Sequence, residues 1–386
     1  MRIVNARIFP IDAPPIEDGF VEIEEGKIAA IGSMKEACPA EGELLDAAGG
    51  WLFPGFIDAH CHLGMWEDGL GFEGDDGNES TDPATPQLRA LDAVNPLDPC
   101  FREALAAGVT TVVTGPGSAN PVGGQLCAMK TYGRRMEEML LLAPAAMKMA
   151  LGENPKTTYN EKSQTPMTRM GTAAVIREQL SKASRYAHDK ALAAEDEDLD
   201  EPDYDAKCEA LLPVVRGELP VHFHAHRLDD MFTARRIAGE FHLRYVLVHG
   251  TQGHLAPDLL AEDGAPVLCG PLLCDRSKPE LRDLTPENPA VLRRAGVTVA
   301  IVTDHPVVPI QYLPLCAGLA VREGLTWEEA LRAVTLTPAE ICGIADRVGS
   351  ITPGKDADLV LFSGDPLTLA AKPLMVFAGG VGMDLR

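Results

Sequence analysis

The stretch FPGFIDAHCHLG, residues 53–64, closes an apolar run with His60 and His62. Val, Ile and Phe suit a buried strand, whereas two imidazoles in such a setting need polar partners. Positions i and i+2 of a strand share a face, so these two rings can converge while Cys61 turns toward surrounding helices. The same chemistry recurs downstream: Lys148 in AAMKMALG, His222, His224 and His226 in LPVHFHAH, His249 in RYVLVHG, and Asp304 in VTVAIVTD. Imidazole nitrogens and a carboxylate suit a divalent transition ion, most often zinc, and catalytic sites keep one position open for water. A lone His-x-His arises by chance in ordinary strands; its recurrence with other ligand types at apolar strand ends is what points to one shared site.

Those residues need a scaffold that gathers strand ends. Eight short apolar runs alternate with helix-like stretches: FPGFIDAH, VTTVVTG, LCAMKTY, AAMKMALG, LPVHFHAH, RYVLVHG, APVLCG and VTVAIVTD. Helices are expected at PLDPCFREALAAG, in the long run from MTRM to AEDE, at LDDMFTARRIAGEF and at ENPAVLRRAG, several closing on Gly. Eight such units in sequence predict an α/β chain with a (β/α)8 TIM-type barrel over residues 54–345, whose active site lies at the C-terminal strand ends. Both chain ends read as short strands and turns. Residues 1–53 and 346–386 are each too short to bury a core alone and are expected to assemble into one small β-sandwich domain.

Two connections are long. GMWEDGLGFEGDDGNESTDPATPQLRALDAVNP is acidic and Gly-rich and is expected to be a mobile loop after the first barrel strand. Residues 152–213 hold a long helix with an acidic tail, expected to be a solvated excursion, the alternative being a role in substrate capture.

Composition bounds the function. With 57 acidic and 34 basic residues, the formal charge of −23 repels phosphate backbones and anionic lipid, which argues against nucleic-acid and membrane-surface roles. No run of eighteen apolar residues and no basic segment leading an apolar one is present, so a cytoplasmic location is expected. Nine scattered cysteines without a CxxC pair suit reduced thiols in the core.

FPGFIDAHCHLG, the VHFHAH and VLVHG strand ends, VTDHP and the closing VGSITPGKDADLVLFSGDP resemble the amidohydrolase superfamily, nearest its imidazolonepropionase-like and prolidase-like branch. The similarity spans nearly the whole chain, with the motifs in the expected order. It implies one or two divalent metals, with His60, His62 and Asp304 on one and His224 and His249 on the other. Lys148 stands where a carboxylated lysine bridges the metals in binuclear members; the alternative is a lysine facing a substrate carboxylate beside a single metal. His222 is expected to lie deeper as a hydrogen-bonded core residue.

The implied reaction is hydrolysis of a C–N bond, amide or cyclic amide, by metal-activated hydroxide, with Asp304 as general base and acid. His249 is a second catalytic candidate, as an oxyanion stabiliser. His226 and Arg227 lie beyond the strand-five ligand and could contact substrate, although Arg227 could equally form a surface ion pair. Asn154 and Lys156 in LGENPK could bind a substrate carboxylate, or serve only as turn residues. The alternatives are a prolidase-like dipeptidase, a deaminase on the same scaffold, and a non-catalytic ligand-binding relative. A small-molecule substrate and a homo-oligomer are expected.

Overall fold

The computed structural model describes residues 1–38 and 42–383; residues 39–41 and 384–386, which belong to the two terminal stretches, lie outside the described residues. The chain begins with β1 (Arg2–Ile8), β2 (Ile16–Glu24), β3 (Lys27–Ser33), β4 (Leu44–Asp46) and β5 (Trp51–Pro54). It continues with β6 (Phe56–Cys61), β7 (Val109–Thr114), β8 (Val122–Lys130), β9 (Leu140–Ala150), β10 (Val221–Ala225), β11 (Tyr245–His249), β12 (Val267–Cys269) and β13 (Val299–Ile301). It closes with β14 (Leu359–Phe362), β15 (Pro373–Ala378) and β16 (Val381–Met383).

The two chain ends do pair, through β5 against β14. Their eight strands form one hydrogen-bonded sheet, with path β16-β15-β14-β5-β1-β2-β3 and β4 beside β1, rather than the two separate sheets of the expected sandwich. The reason lies in β1, whose first half pairs with β4 and whose second half pairs with β5, so that every strand is tied to one continuous ladder. Phe9 and Phe53 stack with centroids 4.6 Å apart, and Trp327 meets both edge-on, fastening this sheet to the helix Trp327–Arg332.

β6 through β13 form the second eight-stranded sheet, in sequence order. It departs from the expected barrel in one strand: β8 runs antiparallel to both β7 and β9. A parallel crossover needs a dozen or more residues, and the connections 115–121 and 131–139 are shorter than that, so the chain can only turn back. The remaining pairs are parallel.

The barrel is nearly closed where β13 approaches β6. At one end of this seam Ile57 N donates to Val334 O and Ile301 N to Ala333 O. At the other, His62 N donates to His305 O at 2.9 Å and Asp304 N to His60 O at 3.2 Å. The seam therefore aligns the backbones of His60, His62 and Asp304.

Helices cover the barrel. Cys61 packs with Phe101 and Ala104 of the helix Pro99–Ala106, on the helical side as expected. The long helix Arg169–Glu195 buries Ile176, Leu180 and Ala183 in one cluster with Val221 and Phe223 of β10, so this excursion is part of the barrel wall rather than a solvated addition. Among the described residues, no helix is long and apolar enough to cross a membrane.

Candidate metal centre

His60 and His62, at the end of β6, and Asp304, just past β13, converge with their ligand atoms within 4.8 Å of one another. His62 Nε2 is 3.2 Å and His60 Nε2 3.4 Å from Asp304 Oδ1. Asp304 adopts a left-handed backbone with φ 56°, a conformation an L side chain takes only where its surroundings enforce it. Its amide donates to His60 O at 3.2 Å, and the preceding Thr303 is held by Asp58, whose Oδ2 accepts from the Thr303 amide at 3.1 Å and from its hydroxyl.

Lys148 of β9 is fully buried, and its Nζ lies 3.3 Å from His60 Nε2. Pairing of β9 with β10 sets Lys148 opposite His222. Burial lowers the Lys148 amine to about 8, and its charge in turn helps burial depress the His60, His222, His224 and His249 imidazoles. His222 is buried as expected, but its Nδ1 has no hydrogen-bond partner among the described residues.

A second group forms from β10 and β11: His224, His226 and His249, again with ligand atoms within 4.8 Å of one another. His249 ends β11 with φ 76°, another left-handed backbone at a candidate site residue. Glu280, only 1% exposed, joins this group with Oε1 3.6 Å from His224 Nε2 and 3.7 Å from His226 Nε2. Burial pushes its carboxyl up, but neighbouring His226 and Lys278 outweigh that and hold it below the ordinary range.

The residues fit a cation by the direction of their lone pairs. Outer hydrogen bonds engage Nδ1 of four of the five rings: His62 to Gly115 O at 2.7 Å, His249 to Gly270 O at 2.7 Å, His224 to Ser118 Oγ at 2.8 Å and His226 to Thr251 Oγ1 at 2.7 Å, whereas His60 Nδ1 has no partner among the described residues. A carbonyl oxygen only accepts, so in His62 and His249 Nδ1 bears the hydrogen and a neutral ring turns its Nε2 lone pair inward. In the neutral ring the His62 lone pair faces the Asp304 carboxylate 3.2 Å away, and a cation between them, a metal ion or a proton on Nε2, would relieve that opposition. His224 Nε2 and His249 Nε2 are buried and have no hydrogen-bond partner among the described residues. An Nε2 without hydrogen suits His249 to ligation, not to donating toward an oxyanion.

Both orienting carbonyls come from glycines at strand ends, and neither position has room for a side chain. A Cβ at Gly115 would run into Leu126, and one at Gly270 into the Val302 carbonyl.

A cavity of about 680 Å³ opens over the two groups. His62, His224 and Asp304 form its floor; Trp66 and Asn78 of the long acidic loop and Lys278 stand on its wall. The loop is not a loose strap: Trp66 meets the His62 ring edge-on at 4.6 Å, and Asn78 Oδ1 accepts from Ala119 N at 3.0 Å. Asn154 lines the cavity and accepts from Lys278 Nζ at 3.1 Å. Lys156 does not line it, because two residues along the helix Glu153–Glu161 is more than half a turn and carries Lys156 to the far side. Arg227 is also outside; it pairs bidentately with exposed Asp229 at 2.8 and 2.9 Å, the surface alternative.

Sequence reasoning placed His226 at the mouth, whereas it shares the second histidine group, as its common parity with His224 allowed. Glu280 and Lys278, in the polar stretch DRSKPELRDL, carried no periodic signal that would have singled them out.

A family model described as the Amidohydrolase family matches residues 51–381. The crystal structure of an amidohydrolase from Thermotoga maritima MSB8 superposes with a TM-score of 0.96 at 45% identity, covering 100% of both chains. Amidohydrolase tasK of Hapsidospora irregularis is 32% identical over 94% of this chain, which spans 39% of that protein. The imidazolonepropionase of Thermoplasma acidophilum is 26% identical, over 91% of this chain and 84% of its own length. The resemblance read from the strand-end motifs is borne out, and the chain belongs to the amidohydrolase family.

Proposed function

We propose that this chain is a metal-dependent hydrolase of C–N bonds, acting on an amide or cyclic amide. The observation that carries the reading is the convergence of His60, His62 and Asp304, with Gly115 O orienting the His62 ring so that its Nε2 faces the Asp304 carboxylate from 3.2 Å. A divalent ion bound there supplies a Lewis acid for the substrate carbonyl and brings water toward ionisation near neutral pH.

The protein groups do the rest. His60, His62 and Asp304 would hold one ion, and His224 and His249 a second. Lys148, whose amine is lowered to about 8 by burial, has a neutral fraction able to take up carbon dioxide, and its carbamate would present two oxygens between the groups. Asp304 takes the proton of the attacking water and returns it to the leaving nitrogen. Trp66 packs over His62 and limits water at the floor of the cavity. Lys278 and Asn154 on the wall meet an acid group of the substrate, a feature shared by imidazolonepropionate, dipeptides and N-acyl amino acids.

The test is metal analysis of the purified chain, then a turnover screen with cyclic amides, dipeptides and N-acyl amino acids in the presence of that metal. Asp304→Asn should lower turnover by roughly two to four orders of magnitude with the melting temperature preserved. Wild-type turnover in that variant would overturn the reading.

A further inference from the structure

We propose that His226 and Glu280 join His224 and His249 as protein donors to the second divalent ion. This inference rests on the reading that divalent ions bind at the barrel mouth, and it names protein donors beyond that reading's own.

Three features carry it. The imidazoles come from two adjacent strands, and each is oriented by a different outer partner: Ser118 for His224, Thr251 for His226 and Gly270 for His249. The Nδ1 contacts orient the rings so that their ligand atoms lie within 4.8 Å of one another, with His226 and His249 stacked at 4.2 Å, so a shared ion would draw these two rings together at their Nε2 ends. Glu280 is built in the same way. Its Oε2 accepts from the Glu153 amide at 3.1 Å, which aims Oε1 at His224 and His226 from 3.6 and 3.7 Å. Finally, the four side chains are deeply buried, His224, His226, His249 and Glu280 each being at most 2% exposed, with His224 alone of them lining the cavity.

Three neutral imidazoles and one carboxylate match the donor type and number of a tetrahedral zinc or cobalt site. A buried carboxylate needs a counter-charge, and Lys278 provides one at 2.7 Å from Oε1. With a divalent ion bound, Glu280 would no longer need Lys278 as its counter-charge, and the ammonium would keep its contact with Asn154 on the cavity wall.

The experiment is titration of the chelator-stripped full chain with Co2+, followed by visible absorption and by metal analysis of the gel-filtered protein. Wild type should take up two equivalents. Glu280→Gln, which is isosteric and still accepts from Glu153, should keep the first equivalent and weaken the second by about tenfold or more, with an altered ligand-field band. His226→Asn should do the same, and melting curves identify folded variants. Two equivalents with wild-type affinity and spectrum in both folded variants would overturn the proposal. A single equivalent in wild type, lost in His62→Asn and untouched by Glu280→Gln, would also overturn it while leaving the functional reading in place. Absence of any binding by wild type would overturn both.

Discussion

Asp58 and Thr303, 245 residues apart in sequence, meet across the seam that closes the barrel. Asp58 Oδ2 accepts from both the amide and the hydroxyl of Thr303, while its Oδ1 accepts from His60 N at 3.1 Å. One carboxylate thus sets the backbone on both sides of the first ligand group. Burial pushes the Asp58 carboxyl up to about 7, against the pull of these hydrogen bonds, so the contacts matter most when it is charged.

Thr303→Val keeps the shape of that side chain and removes its hydroxyl. A buried carboxylate that loses one donor costs about 1–3 kcal/mol, and at neutral pH that loss should appear in urea unfolding followed by tryptophan fluorescence. The same variant should bind its first metal equivalent more weakly, because Asp304 follows directly in the chain. Unchanged stability would mean that Thr303 does not clasp the seam.

Ser118 touches the second group only through His224 Nδ1, at 2.8 Å. Ser118→Ala frees that ring without removing a ligand atom. Metal affinity should fall by about tenfold to a hundredfold at the second site, with the fold preserved. Competition against a chromophoric chelator measures this directly, and an unaltered dissociation constant would remove the orienting role.

Asp356 joins the terminal sheet to the barrel through Lys27, Lys130 and Arg347. Burial raises its carboxyl, but these cations prevail and hold it at about 2, below the ordinary 3.8. An acid with a depressed folded pKa lends stability above its unfolded pKa and loses it as pH falls through the folded value. The contribution, about 1–2 kcal/mol after allowance for half-exposed Lys27, should therefore be present at pH 5 and disappear between about 4 and 2. Asp356→Asn should flatten the acid limb of the stability curve in that window, as read by denaturant midpoints at successive pH values. A parallel acid limb in both proteins would refute it.

Most of what positions the site was written in strand-length apolar runs ending in His or Asp. His60, His62, His224, His249 and Asp304 are legible because a ligand at the end of a buried strand violates the pattern of its own run. The reversal of β8 was hidden, since a fully buried strand such as Val122–Lys130 has the same composition in either direction. Its only trace was the short spacing to β7 and β9. Glu280 was hidden for a different reason: an acid in a polar connection looks solvated until the fold buries it against partners from β10. Lys156 and Lys278 show the same limit in reverse, because only the helical phase of Glu153–Glu161 and the path of the later loop decide which lysine reaches Asn154.

That choice of lysine can be tested with substrate. Lys278 is the only lysine or arginine among the residues lining the cavity, and it stands 3.1 Å from Asn154 Oδ1. A charge-assisted hydrogen bond contributes about 1.5–3 kcal/mol, so Lys278→Met should raise KM for a carboxylate-bearing amide by about tenfold or more. The corresponding neutral amide or ester should lose far less, since it offers no charge for the ammonium to meet. Lys156→Ala, on the outer side of its helix, should leave both constants at wild-type values. Steady-state kinetics on paired acid and neutral substrates decide the matter: equal losses on both members of the pair would show that Lys278 supports the cavity wall, through Glu280, without reading substrate charge.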